Sequence, residues 1–306
     1  MKPHPFTLRQ LQYLVTVDDL RSFSKAAARC HTSQPSLSAQ IAVVEESLGV
    51  RIFERDRQVI PTPAGTVLLA RARIALRAAD DLSQAAQSAR SPFEGPIRIG
   101  VIPTIAPYLL PALAPAILAA LPGLITVWVE AKTPELSRRL QSGDIDLALL
   151  AAQVDLGDVD TAPFATDPFV LAGPSHRGAR GTPLKLSELG SAGVLLLEEG
   201  HCLRDQALAA CATADLHELA FRATSLPTLV QMVAAGLGVT LLPRLAVATE
   251  VQRAALQIRP LIDPPTRTLV VAWRRGSPLD VVGRRIAEIA EPVAWSLLTP
   301  VPLENL

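Results

Sequence analysis

The chain has no net charge to speak of. Its 29 Lys and Arg balance 29 Asp and Glu over 306 residues, which argues against a protein that coats nucleic acid along its whole length. It has only three cysteines, an odd number unsuited to a disulfide framework. The N-terminus lacks a basic region followed by an apolar stretch, so no secretory leader is expected. Apolar runs are short. Val101–Leu121, among the richest, is broken by four prolines and Tyr108, and no stretch suits a membrane span. These absences predict a cytoplasmic protein that does not engage the membrane. In that compartment a structural disulfide is unusual, and two cysteines able to pair are transient or sensory.

At this length two or three domains are expected. The charge is unevenly spread: residues 1–90 hold twelve basic and eight acidic side chains, and the rest hold 17 and 21. A mildly basic first module on a mildly acidic body fits nucleic-acid contact by the first part alone. There, Leu8, Leu11, Leu14 and Val15 recur at helical spacing. Ser22 or Ser24 can cap a second helix carrying Ala26, Ala27 and Ala28. Thr32 or Ser33 can cap a third over about 35–48, with Pro35 in its first turn and Gly49 at its end. A short helix, a tight turn and a helix with a polar first turn form a helix-turn-helix pattern. Ser33, Gln34, Pro35, Ser36, Ser38 and Gln40 lie at the end that would enter a major groove. The glutamine amides suit base edges and the serines suit phosphates. Arg51, Arg55 and Arg57 fall in a β-prone wing suited to the DNA backbone. Thr62-Pro63-Ala64-Gly65 then opens an amphipathic helix to about Arg90. A lone helix that long is best explained by pairing with its copy in a second subunit.

Beyond a break at 91–96, strand and helix patterns alternate: strands at 97–102, 125–130 and 145–150, helices between. This order predicts an α/β body on a largely parallel sheet. Strands at 169–172, 194–197 and 218–223 supply a second lobe, with late strands at 239–242 and 269–273 and a helix at 279–289. Two lobes joined by crossings near Ala165 and Thr268 predict a periplasmic-binding-protein-like architecture with an interlobe cleft. The expected divisions are a reader at 1–64, a linker helix at 65–90 and a regulatory domain at 91–306. Within the last, lobe one takes about 96–165 and 269–300, and lobe two about 166–268.

The segment Leu195–Cys211 holds two cysteines in a strand-to-helix passage. Cys202 falls near a helix start, where free N–H groups and the helix dipole favour a thiolate. Arg204, and His201 if protonated, act the same way, while Glu198, Glu199 and Asp205 oppose it. On one continuous helix the sulfurs of Cys202 and Cys211 would start about 13 Å apart along the axis, beyond the roughly 7 Å Cα limit for a disulfide. Either the two never bond, serving as small buried hydrophobes, or bonding refolds the segment. Zinc is not expected, because His201, Cys202 and Cys211 give too few ligands for a closed site. Cys30, on the second helix, reads as a packed small residue.

Phe23–Leu48, Phe53-Glu54-Arg55 and Thr62-Pro63-Ala64-Gly65 together resemble the winged helix-turn-helix and linker helix of the LysR-type transcriptional regulators. Gly200-His201-Cys202-Leu203-Arg204-Asp205-Gln206-Ala207, Phe221–Leu226 and Val233–Gly236 resemble the peroxide-sensing members of that family. The resemblance implies a non-enzymatic regulator of antioxidant genes, without cofactor or metal. In it Cys202 is oxidised by hydrogen peroxide to a sulfenic acid, and Cys211 resolves this to an intramolecular disulfide. It further implies pocket roles for Thr104, Thr133, His201, Asp205 and Arg274. The implied partners are double-stranded promoter DNA, further copies in a homotetramer built as a dimer of dimers, RNA polymerase, and a reductant such as glutaredoxin or thioredoxin. The rival expectation is a regulator of the same family that binds an organic effector in the cleft and makes no use of its cysteines. A thiol peroxidase would have no need of the DNA reader.

Overall fold

A computed structural model describes residues 4–54, 59–88, 91–152, 157–175, 183–189, 192–212 and 216–299. The chain divides into two compact units, Met1–Gln87 and Ser88–Leu306.

In the first unit, α1 (Leu8–Leu20) begins with a reciprocal cap. The Thr7 hydroxyl accepts from the Gln10 N–H, and the Gln10 side chain accepts from the Thr7 N–H at 2.7 Å, satisfying two otherwise orphaned donors. Ser22 caps α2 (Phe23–Arg29), and Ser33 caps α3 (Gln34–Leu48) through the Ser36 N–H. Gly49, at φ 64°, ends α3 in the left-handed conformation that costs glycine least. Leu11, Leu14, Val17, Ala26, Ala27, Leu37, Ile41 and Val44 form one apolar core. Among the described residues of the wing, Phe53 and Pro61 form an antiparallel bridge. It is tied back to α3, because the Glu45 carboxylate accepts from the N–H groups of Ile52 (2.6 Å) and Phe53 (3.2 Å). The Thr62 hydroxyl accepts from the Gly65 N–H at 2.8 Å and so caps α4 (Pro63–Ser88). Leu69 and Ala72 pack inward, whereas Val67, Ile74 and Leu82 on the same helix are exposed.

The second unit runs β1 (Gly95–Val101), α5 (Ala106–Ala120), β2 (Leu124–Glu130), α6 (Thr133–Ser142), β3 (Leu147–Ala151), β4 (Val159–Pro174), β5 (Gly193–Leu197), α7 (Cys202–Ala212), β6 (His217–Ala223), α8 (Leu226–Ala234), β7 (Thr240–Pro243), α9 (Arg244–Arg253), β8 (Leu256–Arg259), β9 (Thr266–Arg274) and α10 (Asp280–Leu298). The expectation of a largely parallel sheet is corrected. β2-β1-β3 is parallel, but β9 is antiparallel to β3 and to β4, and β7 and β8 are antiparallel to β4. The cause is topological. β4 leaves lobe one and β9 returns to it, so the two crossing strands run in opposite directions and pair with each other, Ala165 with Leu269 and Thr166 with Thr268. Sequence pattern hid the first half of β4 because Pro163 and Pro168 interrupt it. The register shifts between Pro163 and Ala165, as a strand must where proline removes a ladder donor. β5 and β6 form a separate parallel pair that leads directly into and out of α7.

Gly65 provides a test of the first unit. A Cβ there would lie 2.0 Å from the Ile52 carbonyl oxygen, a backbone atom that cannot rotate away. Gly65→Ala is expected to destabilise the unit by about 1–3 kcal/mol. Denaturant unfolding of the full chain would refute this reading if the variant matched the parent.

Candidate functional site

The first unit presents α3 as a recognition element. Ser33, Gln34, Pro35, Ser36 and Gln40 are exposed and Ser38 is half-buried. Gln34 is held by the Ser24 hydroxyl, which donates to its Oε1 at 2.7 Å, leaving the amide NH2 as the part able to reach a base acceptor. The Gln40 Oε1 accepts from Gln10 Nε2 at 2.9 Å, which fixes that side chain in the same way. Arg51 is exposed beside the wing; Arg55 and Arg57 lie outside the described residues. Cys30 caps α2 half-buried, with Sγ 3.6 Å from the Thr16 hydroxyl, as expected of a packing residue.

In the second unit Cys202 is the first residue of α7 and only 4% exposed. β5 delivers the chain to it through Gly200, whose φ of 88° suits glycine. Cys202 is a free thiol, and α7 continues unbroken to Ala212. Cys211 therefore lies on the same helix, about 13 Å further along its axis. Its side chain falls outside the described residues.

The charges around α7 sort into pairs. Lys132, just before α6, donates to the Glu198 carboxylate at 2.5 Å and to the Glu199 carbonyl at 3.2 Å. The Arg204 guanidinium, nearly buried, holds Glu218 on β6 through two bonds, 2.8 and 2.9 Å, and donates to the Leu197 carbonyl at 3.1 Å. Its charge is thus committed to Glu218 rather than to Cys202. Glu199 is exposed within 3.7 Å of Arg222, and Asp205 is exposed, so Asp205 does not share the buried setting of Cys202.

His201 is buried. Burial, and then the positive charge of Lys132, hold its imidazole below the ordinary histidine value of 6.5, against the opposing pull of Glu198 and a hydrogen bond to the Thr224 backbone. It is neutral near pH 7, so it supplies no cation there. Its Nε2 is buried with no hydrogen-bond partner among the described residues. With the Thr224 bond made by the other ring nitrogen, Nε2 is the acceptor.

Thr133 opens α6 and is also buried, its hydroxyl without a partner among the described residues. Thr104 follows β1. Because β1 and β2 are parallel neighbours, Thr104 and Thr133 occupy one edge of the lobe-one sheet, the C-terminal edge where open α/β sheets bind ligands. The Lys132–Glu198 bridge brings that edge to the loop carrying His201 and Cys202. The expected role of Arg274 is corrected. Its Nη1 donates to the Leu140 carbonyl, at 3.1 Å, near the far end of α6. The arginine that meets Thr104 is Arg267, donating from Nη1 to the Thr104 hydroxyl at 2.9 Å and from Nη2 to its carbonyl at 3.1 Å. Arg267 is fully buried and ion-paired to Asp167 at 2.8 Å, and Asp167 accepts from the Leu245 N–H at 3.1 Å. A charged residue beside the predicted crossing at Thr268 was the available signal. Among the described residues no cluster of three or more metal-ligating side chains occurs.

A family profile described as "LysR substrate binding domain" matches residues 90–293, and one described as "Bacterial regulatory helix-turn-helix protein, lysR family" matches residues 8–66. The chain is 43% identical over 276 residues to the "Hydrogen peroxide-inducible genes activator" of Dickeya chrysanthemi, covering 89% of this chain and 90% of that one. It is 41% identical over 285 residues to the "DNA-binding transcriptional dual regulator OxyR" of Escherichia coli, covering 92% and 93%. Full-length OxyR from Pseudomonas aeruginosa, solved as a cysteine-to-aspartate variant, superposes with a TM-score of 0.75 at 34% identity, covering 96% of each chain.

Two outcomes follow from the site's electrostatics. Arg267→Met leaves Asp167 buried and unpaired and frees Thr104. It is expected to cost about 3–5 kcal/mol in urea unfolding; a loss below about 1 kcal/mol would mean the pair is not buried as described. His201 is expected to titrate below 6.5 by NMR, and to titrate higher in Lys132→Ala, where a depressing charge is gone and Glu198 is unpaired. A downward move would contradict the assignment.

Proposed function

The chain belongs to the LysR family of bacterial helix-turn-helix transcriptional regulators, which bind DNA and are not enzymes, and from that premise we propose that it senses hydrogen peroxide at Cys202. The observation that carries this reading is the set of groups at the cleft. A buried free thiol at a helix start lies in the segment that Lys132 ties to Thr133, while the Thr133 hydroxyl and His201 Nε2 are buried without partners among the described residues. A site of that kind suits a small polar guest with both donor and acceptor capacity, and peroxide has both.

Peroxide offers little area to bind, so selectivity rests on contacts made as the O–O bond breaks. The Cys202 thiolate attacks one oxygen, the S–O bond forms, the O–O bond breaks, and hydroxide leaves. Sulfur is oxidised to sulfenic acid and peroxide is reduced. Thr104 accepts from Arg267, so its own hydroxyl hydrogen is free to point toward the cleft and stabilise the developing hydroxide. Thr133 serves likewise. Neutral His201 accepts a proton as the thiol ionises. The Cys211 thiol then attacks the sulfenic sulfur and water leaves, giving the disulfide. Asp205 lies at the edge of this scheme, on the exposed side of α7. Because α7 is continuous between the two cysteines, the bond requires its first turns to unwind.

The signal passes to promoter DNA through α3. Gln34 and Gln40 read base edges, while Ser33, Ser36, Ser38 and Arg51 hold phosphates, with Pro35 fixing the first turn. The exposed apolar residues of α4 pair with a second copy, and two such dimers make the tetramer. RNA polymerase is the downstream partner, and a glutaredoxin or thioredoxin restores the thiols. No helix among the described residues is long and apolar enough to cross a membrane, in keeping with work in the cytoplasm.

Mass spectrometry after a peroxide pulse tests the scheme. Cys202→Ser is expected to abolish both the oxidation and the promoter response. Cys211→Ser is expected to trap the sulfenic acid at Cys202 without an intramolecular disulfide. A Cys202→Ser protein that still responds would instead favour an organic effector in the cleft.

A further inference from the structure

The outer side of the hinge holds a cavity of about 540 Å³, within the size range of small-molecule sites. Its floor is the crossing strands β4 and β9, where Thr166 and Thr268 form a direct cross-strand pair. Its wall is the last turns of α10, with Glu291 and Trp295. It is distinct from the thiol site. Side chains alternate across a strand, so the next rung, Asp167 with Arg267, is buried on the opposite face and holds Thr104.

The lining is mainly apolar, with Pro163 and Pro168 among it. Among the described residues its one ionisable side chain is Glu291, and no lysine or arginine lines it. Glu291 is exposed and makes no ion pair among the described residues. Trp295 is 75% exposed, an unusual placement for a large ring, whose face attracts cations. A hydrocarbon body is favoured by the floor, a positive head by the carboxylate and the indole, and a negative head by nothing.

From this we infer that the hinge cavity is a second ligand site, taking an organic ammonium: an apolar or aromatic group bearing a protonated or quaternary amine. A ligand there would rest on the rung adjacent to the Asp167–Arg267 pair.

Calorimetric titration of the full-length reduced protein with phenethylammonium tests the site, with 3-phenylpropionate as the charge-reversed control. Saturable binding of the ammonium is expected, weakened roughly five- to tenfold in Glu291→Gln and likewise in Trp295→Ala, with no binding of the carboxylate. Both positions are exposed, and an unchanged thermal midpoint would show that the variants are folded. The inference is overturned by no saturable binding up to about 10 mM, by equal affinity in Glu291→Gln and parent, or by equal binding of the two probes.

Discussion

The buried Arg267–Asp167 pair is the constraint on which the second unit depends. Two opposite charges paired on one rung of the crossing strands are withdrawn from water, and such a pair is tolerable only when the remaining hydrogen-bonding capacity is filled. Here it is filled from both lobes. Thr104, after β1, takes two guanidinium bonds, and the Leu245 N–H, in the first turn of α9, donates to the carboxylate. Because both partners are fixed by cross-strand register, Thr104 is held by groups that cannot drift. A threonine so held is a better-oriented donor than one at the end of a free loop, since less ordering is left to occur when a reacting group arrives. A second interlobe tie, from the Tyr108 hydroxyl to Glu250 at 2.8 Å, joins α5 to α9 and reinforces the same geometry.

Around α7 the electrostatics are local and nearly cancel. Sequence places three carboxylates within four residues of Cys202, and taken alone they would oppose a thiolate. The fold removes most of that opposition. Lys132 neutralises Glu198 and Glu199 is turned to solvent, where its field is screened within a Debye length of about 8 Å. The cations are removed as well. Arg204 is committed to Glu218, and His201 is held neutral by burial and by Lys132. What is left at Cys202 is the start of the helix itself, with the neutral imidazole of His201 next to it in sequence. Such a setting does not concentrate anions or cations, which suits a site meant for a neutral guest.

Much of this was legible in the chain. The caps at Ser33 and Gly49, the polar first turn of α3 and the strand-to-helix passage into Cys202 follow from local chemistry, and the structure retains them. The hinge was legible only in part. The crossings near Ala165 and Thr268 can be placed, but prolines broke the alternation of β4, and antiparallel pairing between strands a hundred residues apart leaves no local mark. The same gap produced the wrong arginine. Arg274 sits in a turn-like run after a strand and looks available, whereas Arg267 lies at the start of β9, ahead of the strand read from the sequence, where a charge is normally solvent-facing. Its burial depends on Asp167, a partner no window of sequence contains. α9 was missed because buried Glu250 interrupts its apolar face; that residue pairs with Arg253 one turn on and accepts from Tyr108 on another helix.

The proposed switch can be weighed from what α7 would have to give up. Unwinding its first turns exposes Cys202 and Leu203, both buried, and disturbs the Arg204–Glu218 pair. Exposing one leucine costs about 1.5–3 kcal/mol, and loosening a largely buried ion pair adds about as much again. A bond across so short a loop restricts the unfolded segment by only about 3 kcal/mol. The structural terms therefore oppose the disulfide or come close to balance, and the oxidant must supply the rest. A net opposition of up to about 3 kcal/mol would raise the reduction potential by up to roughly 65 mV relative to an unstrained bond. That is a disulfide easily reduced again, the property a reversible sensor needs. On the proposed scheme, the same packing that keeps Cys202 buried and in place before oxidation would make the oxidised state temporary.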